Sequence, residues 1–303
     1  MKFIHKSVLF DESVKALNID SNSVIVDGTA GGGGHSREIS NNAGRLIAID
    51  QDPDAIKVLH ERLGDRENVT IVNDNFSNLK SILSSLNINE IDGLLLDLGV
   101  SSFQLDTAER GFSFHKDAPL DMRMSKSGLS AKDVVNTYSE QELANIIYKY
   151  GEEKFSRKIA SNIVKARQDK PIETTFELVD IIKSSLPQKA MRDSHPARKT
   201  FQAIRIEVNA ELDALEKTLD DAFECLRSGG RIAIITFHSL EDRMVKEKFN
   251  EWSKGCTCPK EFPVCVCGNK PKGKALKSIA PSEKELEINP RARSSRLRIF
   301  EKY

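Results

Sequence analysis

The segment Ser23-Val-Ile-Val-Asp27-Gly-Thr-Ala-Gly31-Gly-Gly-Gly34-His-Ser36 decides the fold of this 303-residue chain. A short run rich in β-branched residues ends in an acid, and four consecutive glycines follow shortly after it. Glycine tolerates positive φ angles, so the backbone can turn sharply there and approach a ligand closely. The segment therefore predicts a buried strand, a ligand-binding turn and a helix, as at the start of a Rossmann-like domain.

Further strands and helices follow in alternation. Apolar runs at 45–50, 69–72 and 91–97 predict strands, and the segments between them, 36–41, 53–63 and 79–86, predict helices. Strands that are separated by single helices and are apolar along most of their length indicate a parallel sheet that is covered on both faces. We therefore predict an α/β fold with a doubly wound sheet.

This alternation stops after Asp97, and the next strong strand is 231–237. The polar, helical sequence in between predicts an inserted helical domain at 111–199, within a Rossmann-like domain formed by 1–110 and 200–303. A stripe of apolar residues from Phe201 to Leu226 predicts one long amphipathic helix, which Gly229-Gly230 would end. The alternating segment 295–300 predicts an edge strand.

Composition restricts the class of protein. With 39% hydrophobic and 30% charged residues, the chain has the composition of an ordinary globular protein. No apolar run reaches the ~18 residues that a membrane span needs, and the N-terminus does not resemble a signal peptide. We therefore expect no membrane association and a cytoplasmic location.

The spacing of the glycines in the turn and two acids, Asp27 and Asp50, indicate which ligand the turn binds. The G-x-G-x-x-G spacing of dinucleotide-binding proteins is absent, which disfavours a nicotinamide-dependent oxidoreductase. Asp27 would repel a pyrophosphate but can accept hydrogen bonds from an ammonium group or a ribose. Asp50 ends the second strand, where a carboxylate can bind ribose hydroxyls, and this would suit NAD as well. Together these features favour S-adenosylmethionine.

Polar and aromatic residues follow the later strands. Phe76, after the third strand, either lies against an adenine or packs in the core. Asp97 ends the fourth strand and His238 follows the fifth. Ligands bind at the carboxyl ends of strands in open α/β sheets, so we expect a functional site there.

Eight motifs occur in the same order as in one family, from the N-terminal region to the C-terminus. They are Asp27-Gly-Thr29, Gly33-Gly-His-Ser36, Asp97-Leu-Gly-Val-Ser-Ser102, Glu109-Arg-Gly-Phe-Ser-Phe114, Pro119-Leu-Asp-Met-Arg123, His195-Pro-Ala-Arg198 with Thr200-Phe-Gln202, Phe237-His-Ser-Leu-Glu-Asp-Arg243 and Asn289-Pro-Arg-Ala-Arg-Ser-Ser295. With them the chain resembles the bacterial small-subunit rRNA methyltransferase family called RsmH or MraW.

The resemblance implies a class I S-adenosylmethionine-dependent methyltransferase whose inserted domain recognises the substrate. It implies methylation of the exocyclic N4 of a cytidine in the decoding region of 16S rRNA, within the small ribosomal subunit. The cofactor contacts it implies, to which we add Asp27, are Gly33, Gly34, His35, Asp50, Phe76, Asp97 and Gln104. If the chain were a non-catalytic RNA-binding or assembly protein, we would expect the acids at the strand ends to be lost. Asp27, Asp50 and Asp97 are all present.

The chain departs from related enzymes at two positions. Thr29 replaces the first glycine of the common D-x-G-x-G-x-G pattern. Asp97-Leu-Gly-Val100 replaces the [D/N/S]-P-P-[Y/W] motif of DNA amino-methyltransferases, so DNA is not expected as a substrate. We interpret Asp97 as the group that polarises the target amine, with His238 as the second candidate for removing its proton.

Two basic segments stand out in a chain whose 45 Lys and Arg balance 45 Asp and Glu. The segment 270–298 has nine basic residues against three Glu, and 189–205 has five against one Asp. Such segments indicate either a surface for nucleic acid or an ordinary solvated face. The residues that we predict to contact RNA phosphates are Arg198, Lys199, Arg291, Arg293 and Arg296.

Four of the five cysteines lie within twelve residues: Cys256, Cys258, Cys265 and Cys267. Four thiolates suit tetrahedral zinc, although the usual C-x2-C spacing is absent. The segment is either a zinc-stabilised loop or a loop of reduced thiols.

Overall fold

The structure, a computed structural model, describes residues 7–192, 195–256, 258–259, 262, 264 and 266–303. The chain divides into two compact units. The first consists of Met1–Gly99 and Asp213–Tyr303, and the second of Val100–Leu212. These boundaries differ from the predicted 110/111 and 199/200, because the helix after residue 197 contributes Phe201 and Ile204 to the core of the second unit.

The described residues form the following elements. The strands are β1 Val24–Asp27, β2 Arg45–Asp50, β3 Val69–Asn73, β4 Ile91–Asp97, β5 Leu226–Thr236, β6 Gly273–Ala275 and β7 Arg296–Lys302. The helices are α1 Phe10–Ala16, α2 Gly34–Asn42, α3 Pro53–Leu63, α4 Leu79–Ser85, α5 Ser102–Asp106, α6 Ala131–Thr137, α7 Glu140–Gly151, α8 Ser156–Asp169, α9 Thr175–Ser185, α10 Arg198–Asn209, α11 Glu211–Cys225, α12 Ser239–Ser253 and α13 Glu283–Ile288.

The first unit contains a sheet with the strand order β3-β2-β1-β4-β5-β7-β6. The strands β1 to β5 are parallel, whereas β7 pairs antiparallel with both β5 and β6. The five predicted parallel strands are confirmed. The prediction that 295–300 forms an edge strand is wrong, because β6 covers the far side of β7. The three residues of β6, Gly-Lys-Ala, carry no alternating apolar pattern that could have announced it.

Helices cover this sheet on both faces. Strand β2 shows the arrangement, because Ile47 and Ile49 belong to one core cluster and Leu46 and Ala48 to another. The first cluster includes buried residues of α4, α11 and α12, and the second includes residues of α1, α2 and α3. Each buried Leu or Ile contributes about 1.5–3 kcal/mol, so both faces contribute to stability. The predicted doubly wound sheet is confirmed.

The second unit has its own core, to which α6, α7, α8, α9 and α10 contribute. Four of its helices begin with a capping box, at Ser101, Ser130, Ser139 and Thr174. The predicted N-cap at Ser139 is thereby confirmed. The sequence places this helical unit between β4 and β5.

The single helix predicted from Phe201 to Leu226 is wrong. Helix α10 ends at Asn209, Ala210 takes a left-handed conformation with φ of 47°, and α11 starts at Glu211. The Asn209 side chain accepts a hydrogen bond from Met124 N and donates one to Met122 O, both at 2.8 Å. These contacts hold the break in place although the apolar stripe continues. Gly229 and Gly230 lie inside β5 and do not end a helix.

Across the described part of the chain, every helix is too short or too polar to cross a membrane.

Candidate functional site

The glycine-rich turn follows β1 and is braced by Asp27, which is 1% exposed. One carboxylate oxygen accepts a hydrogen bond from Ser36 Oγ at 2.6 Å, and the other accepts one from Thr29 N at 3.2 Å. Burial raises the pKa of Asp27 to about 6, although these two hydrogen bonds act in the opposite direction. Asp27 therefore joins both ends of the turn.

A hydrogen bond explains why Thr29 replaces the first glycine of the common D-x-G-x-G-x-G pattern. Its hydroxyl accepts a hydrogen bond from Asp97 N at 2.6 Å, which ties the turn to the end of β4. Sequence reasoning missed this role, because the two residues are far apart in the chain. The hydrogen bond of Ser36 to Asp27 was also missed, although the place of Ser36 at the start of the predicted helix was a signal.

The glycines are needed for backbone shape and for space. Gly33 is the N-cap of α2 with φ of 80°, and Gly31 has φ of 52°, both in the left-handed region. A Cβ on Gly34 would lie 2.1 Å from Ser7 Oγ, and one on Gly28 would lie 2.5 Å from Leu96 Cδ2. The backbone N–H groups at the start of α2 therefore lie in a turn where side chains would not fit.

Asp50, at the end of β2, is tied to the same turn. Its Oδ2 accepts a hydrogen bond from Gly31 N at 2.7 Å, and its Oδ1 accepts one from Asp52 N at 2.8 Å. A carboxylate oxygen can accept more than one hydrogen bond, so Asp50 is a suitable partner for hydroxyl groups.

Phe76 begins a 3₁₀ turn after β3 and is partly buried. A Cβ placed on Gly28 would lie 3.2 Å from the Cβ of Phe76, so the Phe76 side chain starts beside the glycine-rich turn. The ring also packs against the core cluster of the sheet. Both interpretations of Phe76 from the sequence fit this position.

Asp97 and His35 form an unusual pair at the end of β4. Asp97 Oδ2 lies 3.7 Å from His35 Nδ1. Burial, together with the negative charges of Asp27, Glu241 and Glu285, raises the pKa of Asp97 to about 8. Burial lowers the pKa of His35 to about 4. At neutral pH the pair is therefore mostly a protonated carboxyl group beside an uncharged imidazole.

Two buried atoms of this pair, Asp97 Oδ1 and His35 Nε2, have no hydrogen-bond partner among the residues that the structure describes. Unsatisfied buried polar atoms cost about 1–3 kcal/mol each, so a native protein usually has a use for them. The Asp97 side chain is 23% exposed, so a ligand can reach it. A ligand that carries positive charge would favour the ionised carboxylate, and S-adenosylmethionine fits that requirement.

His238 is the N-cap of α12, and both of its ring nitrogens face Glu241. Nδ1 accepts a hydrogen bond from Glu241 N at 3.4 Å, and Nε2 lies 3.0 Å from Glu241 Oε1. A histidine held in this way has its acceptor nitrogen in use. The predicted role of His238 in proton removal stays a prediction, and the observed geometry is that of a helix cap.

Gln104 lies in the second unit and is 5% exposed. Its Oε1 accepts a hydrogen bond from Ser101 N at 3.0 Å, and its backbone N donates to Ser101 Oγ at 3.1 Å. This capping box begins α5. The predicted contact of Gln104 with the cofactor stays a prediction.

The residues predicted to contact RNA are all exposed. Arg198 and Lys199 begin α10 in the second unit, and Lys199 Nζ donates to Glu152 O at 3.1 Å. In the first unit, Arg291 and Arg293 lie in a 3₁₀ turn at 290–294 and Arg296 begins β7. By contrast, the guanidinium group of Arg298 is held by two hydrogen bonds to Asp242.

The cysteine-rich segment between α12 and β6 brings three sulfur atoms together. The Sγ atoms of Cys256, Cys258 and Cys267 lie within 4.8 Å of one another. Cys265, the fourth cysteine of the predicted zinc site, lies outside the described residues.

Comparison with known sequences identifies relatives along the whole chain. The sequence model of the MraW methylase family matches residues 2–303. Ribosomal RNA small subunit methyltransferase H from Clostridium botulinum strain Kyoto is 56% identical over 100% of both chains. Ribosomal RNA small subunit methyltransferase H 2 from Agathobacter rectalis is 57% identical over 100% of this chain and 99% of its own.

Among solved structures, an rRNA methylase from Streptococcus thermophilus aligns with 99% of this chain and 98% of its own, at 13% identity and a TM-score of 0.45. The sheet described above, with antiparallel β7 inserted between β5 and β6, has the class I methyltransferase fold.

Proposed function

This chain belongs to the MraW methylase family, and we propose that it transfers a methyl group from S-adenosylmethionine to the exocyclic N4 of a cytidine in the decoding region of 16S rRNA. The relatives at 56% and 57% identity, both of them small-subunit rRNA methyltransferases by name, support the acceptor. The buried Asp97–His35 pair beside the glycine-rich turn carries the proposal for the cofactor. A substrate within the small ribosomal subunit implies a cytoplasmic location.

Different residues of the first unit would bind different parts of the cofactor. S-adenosylmethionine supplies a methyl group that its sulfonium makes electrophilic. Asp50 would accept hydrogen bonds from ribose hydroxyls, and Phe76 would line the adenine. Asp27 would act through the turn that it braces, where Gly33 and Gly34 allow the backbone to close on the ligand. His35 would add an uncharged ring that is stacked on Phe10, with ring centroids 5.6 Å apart.

Asp97 is the best candidate for the group that handles the proton. In its ionised form it can accept a hydrogen bond from the target amino group, which localises the nitrogen lone pair and orients it. It can then take the proton that the nitrogen must lose. A base with a pKa near the working pH is suited to this task, and Asp97 meets that condition at about 8. Correct positioning of the two reactants supplies much of the remaining acceleration.

The proposed reaction can be tested directly with labelled S-adenosylmethionine. We expect label to pass to 16S rRNA in small subunits purified from a strain that lacks the modification, and nucleotide mapping to place it on N4 of one cytidine. Subunits that already carry the modification are the matched control and should accept no label. Label on protein or DNA, with none on RNA, would contradict the proposal.

We propose that Arg198, Lys199, Arg291, Arg293 and Arg296 contact phosphates of the rRNA. The logarithm of the affinity for a single-stranded RNA should then fall with the logarithm of the salt concentration, by about 0.7 for each phosphate neutralised. Arg293→Ala should reduce that slope by about 0.7. The exposed Lys57 on α3, replaced by Ala, serves as the control and should leave the slope unchanged. Equal slopes for Arg293→Ala and the unaltered chain in filter binding would remove Arg293 from the interface.

A further inference from the structure

The loop between α12 and β6 holds three cysteine sulfurs at a separation that suits a metal ion. The Sγ atoms of Cys256 and Cys267 are 3.8 Å apart, and Cys258 Sγ lies within 4.8 Å of both. Zinc–thiolate bonds are about 2.3 Å long, so two corners of a ZnS₄ tetrahedron are about 3.8 Å apart. No disulfide joins Cys256, Cys258 and Cys267 to one another. The separation of the Cys256 and Cys267 sulfurs therefore matches two corners of a tetrahedral site, and the Cys258 sulfur lies near enough to be a third ligand.

Backbone N–H groups point at two of these sulfurs. Cys258 N donates to Cys256 Sγ at 3.4 Å, and Val266 N donates to Cys258 Sγ at 3.3 Å. Hydrogen bonds to sulfur favour the thiolate over the thiol, and thiolate is the form that binds metals. They also orient the sulfur, as the partners of metal ligands usually do. The backbone thus favours the charged ligand form.

Apolar packing does not hold the described part of this loop in place. The described apolar side chains within it are exposed: Phe262 is 51% exposed, Val264 69% and Val266 73%. The base of the loop is closed by polar contacts instead, because Asn269 Nδ2 donates to Lys254 O at 3.2 Å and to Gly255 O at 2.6 Å. Short segments that lack a core often depend on a metal ion for their structure.

We propose that Cys256, Cys258 and Cys267 are thiolate ligands of a structural zinc ion. Clustered thiolates of this kind select zinc over magnesium or calcium. Binding releases the thiol protons to solvent, so the affinity should increase with pH. The proposal rests on these three ligands and is independent of the proposed methyl transfer, because the cofactor residues on β1, α2, β2 and β4 lie outside this loop.

Zinc analysis of purified chain, loaded with zinc and then dialysed, tests the proposal. We expect about one zinc ion per chain. Cys267→Ser should lose most of it, whereas Cys225→Ser is the matched control and should keep it, because Cys225 is buried in the core of the sheet. A chain without stoichiometric zinc, or equal zinc in the two variants, would overturn the proposal.

A second measurement uses the unaltered chain, so that a misfolded variant cannot mislead. With Co²⁺ in place of zinc, we expect the intense visible absorption of a tetrahedral thiolate site. Removal of the metal by a strong chelator should accelerate proteolytic cleavage within 254–272 and leave binding of S-adenosylmethionine unchanged. Absence of the cobalt spectrum, or cleavage at the same rate with and without chelator, would count against a metal in this loop.

Discussion

Asp97→Asn is expected to lower the single-turnover rate of methyl transfer by about 10²–10⁴-fold at saturating S-adenosylmethionine. Asparagine retains the shape of the side chain and one acceptor oxygen, but it cannot take the proton from the amino group. The loss should therefore appear in the rate of the chemical step. The measurement is transfer of label to unmodified small subunits with enzyme in excess. Asp65→Asn, an exposed carboxylate between α3 and β3, is the control and should react normally. Near-normal turnover of Asp97→Asn would end the assignment.

The same substitution should change the pH dependence. The pKa of Asp97 is about 8 in the folded protein, so its ionised fraction rises about tenfold per unit below that pH. If the ionised form captures the cofactor, kcat/KM for S-adenosylmethionine should rise up to about pH 8 and then level off. Asp97→Asn should not show this rise between about pH 6.5 and 8. A common profile for both proteins would show that another group controls it.

Unlike kcat/KM, the contribution of Asp97 to the free energy of unfolding should decrease as the pH rises. Since the ordinary pKa of an aspartate is 3.8, the folded protein retains a proton on Asp97 between pH 4 and 8 that the unfolded chain has lost. The contribution of Asp97 to the free energy of unfolding therefore decreases as pH rises through this range. Asparagine has no such dependence. Asp97→Asn should thus gain stability relative to the unaltered chain, by about 1 kcal/mol or more at pH 8, as denaturant titrations can measure.

Local signals in the sequence were sufficient to predict the five parallel strands and some of the helices between them. Helix α3 has the bounds that were predicted, because Asp52 caps it, Pro53 begins it and Gly64 follows it. The break at Ala210 could not be predicted, since neither Gly nor Pro occurs there and the apolar stripe continues across it. The hydrogen bonds of Asn209 to Met122 and Met124 hold that break, and these partners lie more than eighty residues away along the chain.

For the candidate site, the sequence predicted the positions of the acids but not their contacts. The positions of Asp27, Asp50 and Asp97 at strand ends follow from the alternation of strands and helices. What each carboxylate contacts depends on distant segments, as the bond between Thr29 and Asp97 N shows. The raised pKa of Asp97 also has no sequence signal, because it arises from burial and from acids on other elements. The role of His238 as a base stays a prediction, and its place as the helix cap of α12 had no separate signal, since a histidine three residues before a glutamate can be either.

Asp50→Ala is expected to weaken binding of S-adenosylmethionine by about 10²-fold. The substitution removes two contributions, the proposed hydrogen bonds to the ribose and the observed hydrogen bond from Gly31 N. Truncation of a charged hydrogen-bonding group costs about 2–5 kcal/mol, and a factor of 10² corresponds to about 2.7 kcal/mol. Isothermal titration calorimetry with S-adenosylmethionine measures the change.

Asp52→Ala is the control for this experiment, because Asp52 lies two residues further along and serves a different element. Its carboxylate accepts a hydrogen bond from Asp54 N at 3.0 Å and caps α3. Loss of the cap should cost about 1 kcal/mol of stability and leave the affinity for the cofactor nearly unchanged. If the two variants lose affinity equally, Asp50 acts only through the folding of this segment. A loss confined to Asp50→Ala assigns the effect to the Asp50 carboxylate, through the ribose or through Gly31 N, because the cap of α3 remains intact in that variant.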